Sequence, residues 1–491
     1  MIDTIAASQL DIFELKSSDQ VKKLGQYFTS DIVANFMASL VFTESRKVRI
    51  LDAGAGAGIL TIAAVLRCIE LGIKDICAVL YEIDEEIINE LCINMDVLSK
   101  SIDEQGVKFS YKIIEEDFVL HRADLHDEPY EISIINPPYF KYNSKTSIYA
   151  NCTTDLFKGN PNIYASFMAI ALGALKTNGQ LVAIVPRSFT NGLYFKGFRK
   201  YLLGNSSLER VHLFKSRSSL FERQKVLQEN IICSFLKRPQ SDTITVSTSS
   251  SYKDLETPDT ALHAKSKIID SSSEHKFIRI PEDLTDSEVL DTIESWESSF
   301  EGNGYLISTG PVVEFRVKEF ISVEKSSINQ VPLLKMRNIK PFKAVWDDAD
   351  KKNAYIEVTK RTEKIITKSN PYLLLKRFSS KEEKRRLTAG IYDPQEFGSS
   401  VIGIENHLNY ICHKTDILTK TELNGLAILF NSTIFDRYFR CISGNTQVNA
   451  TEIRTMKLPS REDINNIGRL YEYKEITTQL DIDRLLSEYL N

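Results

Sequence analysis

Val48-Arg49-Ile50-Leu51-Asp52-Ala53-Gly54-Ala55-Gly56-Ala57-Gly58 joins a short apolar run to three alternate glycines. The run reads as a buried strand, and the amphipathic segment after it, Ile59 to Ile69, as a helix. Glycines at such a junction let the backbone turn tightly and let a ligand approach the start of the helix. The spacing, Gly-x-Gly-x-Gly behind an acid, departs from the Gly-x-Gly-x-x-Gly dinucleotide fingerprint. Further strand candidates follow downstream: Ile76 to Leu80, Tyr111 to Ile114, Ile132 to Ile135 and Leu181 to Val185, with a helical pattern from Glu85 to Leu98 among them. Alternating strand and helix predicts an α/β fold, a parallel sheet with helices on both faces. Leu208 to Phe214 and Asn230 to Leu236 read as an antiparallel pair at the sheet edge.

The ends of these strands carry the chemistry. Asp52 in the glycine turn would repel a pyrophosphate but suits the cationic amino end of S-adenosylmethionine. Glu82 ends the second strand in Tyr81-Glu82-Ile83-Asp84, placed to accept from both ribose hydroxyls. Ile83 would then pack on an adenine ring. Asp117 follows the third strand in Glu116-Asp117-Phe118, able to accept from an adenine amino group with Phe118 beside the ring. The fourth strand ends in Asn136-Pro137-Pro138-Tyr139. Two prolines remove two N–H donors and leave carbonyl oxygens to accept from something else. The Asn136 side chain adds an acceptor, and the Tyr139 ring a flat face. Such a group suits a planar NH2, whose lone pair is freed when both N–H groups are held. Each feature alone is also compatible with a glycine turn for NAD or FAD, or with ordinary strand-end acids. Their order, at one edge of successive strands, is where ligands bind in open parallel sheets.

With these motifs the first ~240 residues resemble the gamma-class, TaqI-like N6-adenine DNA methyltransferases of type II restriction–modification systems. The resemblance includes the segment before the glycine turn, Gly25-Gln26-Tyr27-Phe28-Thr29-Ser30, where Ser30 replaces the usual proline. It implies a Rossmann-like S-adenosylmethionine-dependent methyltransferase sheet. It implies that Phe28, Thr29, Asp52, Ala53, Gly54, Gly56, Glu82, Ile83, Asp117 and Phe118 line the S-adenosylmethionine pocket. Asn136, Pro137, Pro138 and Tyr139 would then hold the target adenine. Leu220-Phe221-Glu222-Arg223-Gln224-Lys225-Val226 resembles the segment whose Phe covers the other face of the extruded base, which assigns Phe221, with Phe214 as the alternative and core packing open for either.

The 491 residues exceed one ordinary core, and the polar, Ser-rich stretch from Pro239 to Ser273 suggests a junction. The reading is a catalytic domain over 1–240, a linker over 241–300, and a mixed α+β DNA-recognition domain over 301–491. Between Lys335 and Arg386 lie sixteen Lys/Arg against seven Asp/Glu, with Phe342, Trp346, Tyr355, Tyr372 and Phe378 interleaved. Such a mixture is either a solvated face or a nucleic-acid surface. The candidates for DNA contact are Lys335, Arg337, Lys376, Arg377, Lys381, Lys384, Arg385, Arg386, Asn445 and Thr446, with Arg377, Arg385 and Arg386 the best base readers. The second half resembles the target-recognition regions of the BsuBI/PstI type, which implies a short palindromic site in double-stranded DNA. The implied cognate endonuclease is a separate chain, because only about 24 residues precede the segment at Gly25. The enzyme is expected as a monomer or dimer.

The composition narrows the remaining classes. The net charge of −5 gives no global sign of nucleic acid, but a local basic surface can hide within it. Seven cysteines without a Cys-x-x-Cys pair point to reduced thiols in the cytoplasm and to no metal site. No run of about 18 apolar residues predicts a membrane span, and Met1-Ile2-Asp3-Thr4 does not open a signal peptide. An RNA or protein-glutamine methyltransferase, a nicotinamide enzyme and a DNA-binding regulator of the same fold stay as rivals.

Overall fold

The computed structural model describes residues 29–122, 128–143, 146–159, 162–215, 229–271, 273–347, 350, 352–472 and 478–490. The chain forms two compact units, Met1–Glu282 and Asp283–Asn491.

The first unit is built on one nine-stranded sheet. Its strands are β1 (Lys47–Ala53), β2 (Asp75–Tyr81), β3 (Lys108–Ile114), β4 (Tyr130–Ile135), β5 (Leu175–Pro186), β6 (Ser207–Phe214), β7 (Asn230–Leu236), β8 (Thr243–Ser249) and β9 (Asp259–Ala264). They lie in the order β3-β2-β1-β4-β5-β7-β6-β8-β9. The five strands from β3 to β5 are mutually parallel, and β7 runs antiparallel between β5 and β6. Alternation along the strands divides the core in two. Leu51, Ala53, Ile135, Leu181 and Val185 face one side, while Val48, Ile50, Ile134, Val182 and Ile184 face the other. Four main helices cover the faces: α1 (Asp31–Ser39), α2 (Ile59–Glu70), α3 (Glu85–Asp103) and α4 (Ile163–Ala174). Ser30, which stands where the related segment carries proline, caps α1 by accepting from the Val33 N–H at 3.4 Å. Asp84 caps α3 through the Glu86 N–H. Gly58 sits at φ +86° where α2 begins, and a Cβ there would lie 2.8 Å from both Leu91 and Met95 of α3. That glycine serves helix packing as well as the turn.

Residues 241–300 are not a linker. β8 and β9 extend the sheet past the β6–β7 pair, which is therefore internal rather than at the edge. The misreading has a physical source. The serines that look like loop composition pair with a histidine inside the fold: His212 on β6 meets the Ser247 hydroxyl at 3.0 Å and the Ser249 hydroxyl at 3.1 Å. Burial pushes the His212 imidazole down to about 3, so it stays neutral between them.

The second unit is mixed α+β, as expected. It holds a six-stranded and a five-stranded sheet with helices beyond residue 419. Tyr372–Lys376 lies inside the six-stranded sheet, paired on both sides by Ala389–Tyr392 and Leu408–His413. Among the described residues no helix is long and apolar enough to cross a membrane.

Candidate active site

Four successive strand ends converge at the carboxyl edge of the first unit's sheet. After β1 the chain turns through Gly54, Gly56 and Gly58, all at positive φ. The N–H groups of Gly54 and Ala55 both donate to the Tyr81 carbonyl at the end of β2, at 2.9 Å each, which ties the two strand ends together. A Cβ on Gly54 would meet Phe167 at 3.8 Å and the Pro138 ring at 3.9 Å. The glycine turn and the Asn-Pro-Pro-Tyr segment are thus direct neighbours.

The acid near the end of β1 and the acid after β2 are buried but differently satisfied. Asp52 is fully buried, and its Oδ2 accepts from the Thr61 hydroxyl at 2.7 Å. Its Oδ1 has no hydrogen-bond partner among the described residues. Burial raises the carboxyl to about 7, against the opposing bond from Thr61. A buried carboxylate oxygen left without a donor is costly, and a cationic amino group is the ligand that fits it. Glu82 accepts from three backbone N–H groups: Ile83 at 2.9 Å and Asp84 at 3.0 Å on Oε1, and Gly56 at 2.9 Å on Oε2. A carboxylate offers about four acceptor positions. Room remains for one direct hydroxyl on Oε2, not the full pair that the sequence suggests. Burial raises the Glu82 carboxyl, and the backbone bonds work against that shift. Ile83 is half exposed between these buried groups, an apolar surface suited to a flat ring. Ala53 is buried at the end of β1.

Asp117 accepts from the Val119 and Leu120 N–H groups on Oδ1 and from the Tyr149 hydroxyl at 2.8 Å on Oδ2. Phe118 is a core residue, edge-on to Tyr81 and tilted against Phe167, both at 5.2 Å. A place beside a cofactor ring would require that packing to open.

The Asn136 amide is held from two directions. Its Nδ2 donates to the Thr29 hydroxyl at 3.0 Å, and its Oδ1 accepts from the Tyr139 hydroxyl at 2.8 Å. The segment ahead of α1 and the Asn-Pro-Pro-Tyr motif therefore meet, although 107 residues separate them. The Tyr139 hydroxyl has a second acceptor, the Ile184 carbonyl of β5, at 2.9 Å. The Tyr139 ring is buried, edge-on to Tyr164, so little of it is open without a base. Pro137 is buried and Pro138 partly so. Phe28 and Phe221 lie outside the described residues, and Phe214, the alternative, is buried in the core. Sequence reasoning missed Thr61 and Tyr149, which bind Asp52 and Asp117. Nothing in their local sequence marks them, because each acts across a helix or a loop.

In the second unit the basic candidates separate into pins and exposed cations. Arg386 is buried: its Nε donates to the Ser379 hydroxyl at 2.9 Å and its Nη1 to the Ser443 carbonyl at 3.2 Å. Its Nη2 donates to the Asn445 carbonyl, and its guanidinium lies over Phe439. This corrects the expectation that Arg386 reads a base, since the side chain points into the protein and fastens the 443–446 loop. Arg385 is half-buried on the Ser432 carbonyl, and Arg377 on the Asn406 carbonyl, each at 3.0 Å. Burial lowers both guanidinium groups. Lys335 pairs with Glu314, and Arg337 with Asp350 at 2.6 Å. Lys376 and Lys381 are partly covered, whereas Lys384 and Thr446 are exposed. The Ser379 N–H donates to the Thr446 carbonyl at 3.0 Å, so the 376–386 segment and the 444–449 loop do lie side by side.

A parallel sheet with a glycine turn, an orphaned buried acid and Asn-Pro-Pro-Tyr at one edge defines the class of S-adenosylmethionine-dependent methyltransferases. Residues 61–221 match the family of Eco57I restriction-modification methylases. The chain is 36% identical to the type II methyltransferase M.PstI of Providencia stuartii, over 95% of this chain and 93% of that protein. It is 34% identical to M.BsuBI of Bacillus subtilis, over 100% of this chain and 98% of that one. Among solved structures, the type IIL restriction–modification enzyme MmeI bound to DNA aligns with a TM-score of 0.53 at 11% identity, covering 99% of this chain and 74% of that chain, a likeness of fold. The chain belongs to the type II DNA methyltransferases of restriction–modification systems, with S-adenosylmethionine as cofactor.

Proposed function

We propose that the chain methylates N6 of an adenine rotated out of a short, palindromic duplex site. The observation that supports this reading is the doubly held Asn136 amide beside the glycine turn. The sulfonium of S-adenosylmethionine supplies an electrophilic methyl and a neutral thioether leaving group. Asp52 would hold its ammonium end, Glu82 a ribose hydroxyl and Ile83 one face of its adenine. An adenine amino group inside a duplex cannot reach that methyl, so the base must leave the stack. Asn136 Oδ1 and the Pro137 carbonyl then accept from its two N–H groups, and the freed lone pair attacks in line. The exchange at Asn136 needs little rearrangement, because the Tyr139 hydroxyl keeps the Ile184 carbonyl when Oδ1 turns to the base. No general base is required at that moment, since the cationic product sheds its proton to water. Catalysis is then positioning and electrostatics.

The second unit carries sequence choice in this reading, through exposed cations on phosphate and side chains on base edges. The modification shields host DNA in the cytoplasm from a cognate endonuclease on a separate chain, and the enzyme acts as a monomer or dimer. Nucleoside analysis of plasmid DNA from cells expressing the chain tests the reading. N6-methyladenine is the expected product, and N4-methylcytosine without it would overturn the assignment.

A further inference from the structure

Asn230 opens β7, directly after the stretch 216–228 and opposite Pro186 of β5. It is only 3% exposed, yet neither its Oδ1 nor its Nδ2 has a hydrogen-bond partner among the described residues. A buried primary amide with all its bonds unmade is rare in a folded protein, and it costs stability. A ligand that later satisfies the group is one way a folded chain can carry such a cost.

Its position identifies the ligand. Asn230 is in phase with Ile232, and Ile232 shares a core cluster with Ile184 and Ile134. Asn136 directly follows β4, two residues after Ile134, and its amide reaches Thr29 just ahead of α1, whose Val33 and Met37 belong to that same cluster. Both asparagines therefore face one side of the sheet at its carboxyl edge. Only β5 stands between their strands. Ile135 pairs with Ala183 and Asn230 with Pro186, so two strand spacings of about 4.8 Å and an offset of two residues separate the backbones by roughly 12 Å. The site between them is floored by Ile184, the residue whose carbonyl takes the Tyr139 hydroxyl.

We propose that Asn230 binds the extruded adenine itself, pairing with the edge of the ring next to the amino group. Nδ2 donates to N1 or N7, and Oδ1 accepts from the adjacent N6–H, sharing it with the Pro137 carbonyl, while Asn136 takes the other N–H. This donor–acceptor pair is how an amide recognises adenine in a DNA groove, and a guanine edge with N7 and O6 as two acceptors does not match it. Asn230 thus gives the pocket its choice of base, whereas Asn136 gives it the transfer step. The inference rests on the adenine reading above.

The test uses the full chain, S-adenosylmethionine, and a duplex containing the site found by sequencing DNA that the wild-type chain has methylated. The target adenine is replaced in turn by 1-deazaadenine and by 7-deazaadenine, and Asn230→Leu is compared with wild type. Three results are expected. Without DNA, Asn230→Leu melts no lower than wild type, because the unpaired amide is gone. On the natural duplex its kcat/KM falls about tenfold or more, the size of one lost bidentate contact. One of the two analogues costs wild type a similar factor and costs Asn230→Leu nothing further. A melting temperature several degrees lower in Asn230→Leu, an unchanged kcat/KM, or equal analogue penalties in both proteins would each overturn the assignment. If wild type forms no N6-methyladenine, the adenine reading fails first and this inference falls with it. If N6-methyladenine forms and the Asn230 results are negative, only the inference fails.

Discussion

The two units of this chain use polar residues in opposite ways. In the first unit, polar groups gather at one edge of a sheet and part of their bonding capacity stays unused. Asp52 Oδ1 and the Asn230 amide are buried without partners among the described residues. In the second unit, the most basic segment turns its best arginine inward, and Arg386 spends its donors on Ser379, Ser443 and Asn445. Unmet bonds on an acid and an amide at the sheet's carboxyl edge leave room for a ligand there, while a buried guanidinium bound to three protein oxygens serves architecture. Charge counts along a sequence cannot separate these two uses.

That contrast can be broken most directly at Asn136. Asn136→Ala should lower turnover by 10²- to 10³-fold, about 3–4 kcal/mol in barrier by analogy with a lost oxyanion-hole donor. Cofactor and DNA binding should persist, because the amide acts on the amino group. Turnover within threefold of wild type, measured by transfer of labelled methyl to DNA, would remove Asn136 from the reaction.

Arg386 is the matching test in the second unit. Arg386→Met leaves three buried acceptors without their donor and should cost about 3 kcal/mol. For a unit of ~200 residues that is roughly 6–12 °C of melting temperature. A variant that melts like wild type but loses discrimination among single-base variants of the target would restore Arg386 as a base reader.

Next in size is the cofactor pocket. Glu82→Ala should weaken S-adenosylmethionine binding by about 1.5–3 kcal/mol, read by calorimetry without DNA. Asp52 adds a pH signature. Its folded value near 7 lies above the ordinary 3.8, so its contribution to stability of the free protein is present below about 4 and is lost as pH rises through 7. A cationic ligand favours the carboxylate. Affinity should therefore rise with pH up to about 7, and binding near pH 6.5 should release a proton. Asp52→Asn should bind more weakly and flatten the profile. A profile that stays steep in Asp52→Asn would point to another group.

The smallest effect belongs to the exposed cations. Lys384→Ala should weaken binding to all duplexes alike and reduce the salt slope by about one, with no change in melting temperature. A change of base preference instead would move recognition onto this lysine.

What could be read from the sequence follows the same division. The parallel sheet, the glycine turn, Glu82 and Asn-Pro-Pro-Tyr were legible because each is a local pattern at a strand end, and a right-handed α/β topology brings strand ends together. β8 and β9 were not legible, since Ser247 and Ser249 look like a loop until His212 is seen between them. Thr61 and Tyr149 were hidden for a related reason: a hydroxyl that binds an acid across the fold has no sequence signature. Arg386 misled because burial, not residue type, decides whether a guanidinium meets DNA or a carbonyl.

The most direct test of the central claim is sequencing, by a method that distinguishes N6-methyladenine from other modifications, of DNA from cells expressing either wild type or Asn136→Ala. Wild type should mark one adenine in nearly every copy of a single short site, and Asn136→Ala should mark none. Marks that persist in Asn136→Ala, or wild-type marks that fall on cytosine, would contradict an adenine held at the end of β4 by the Asn136 amide.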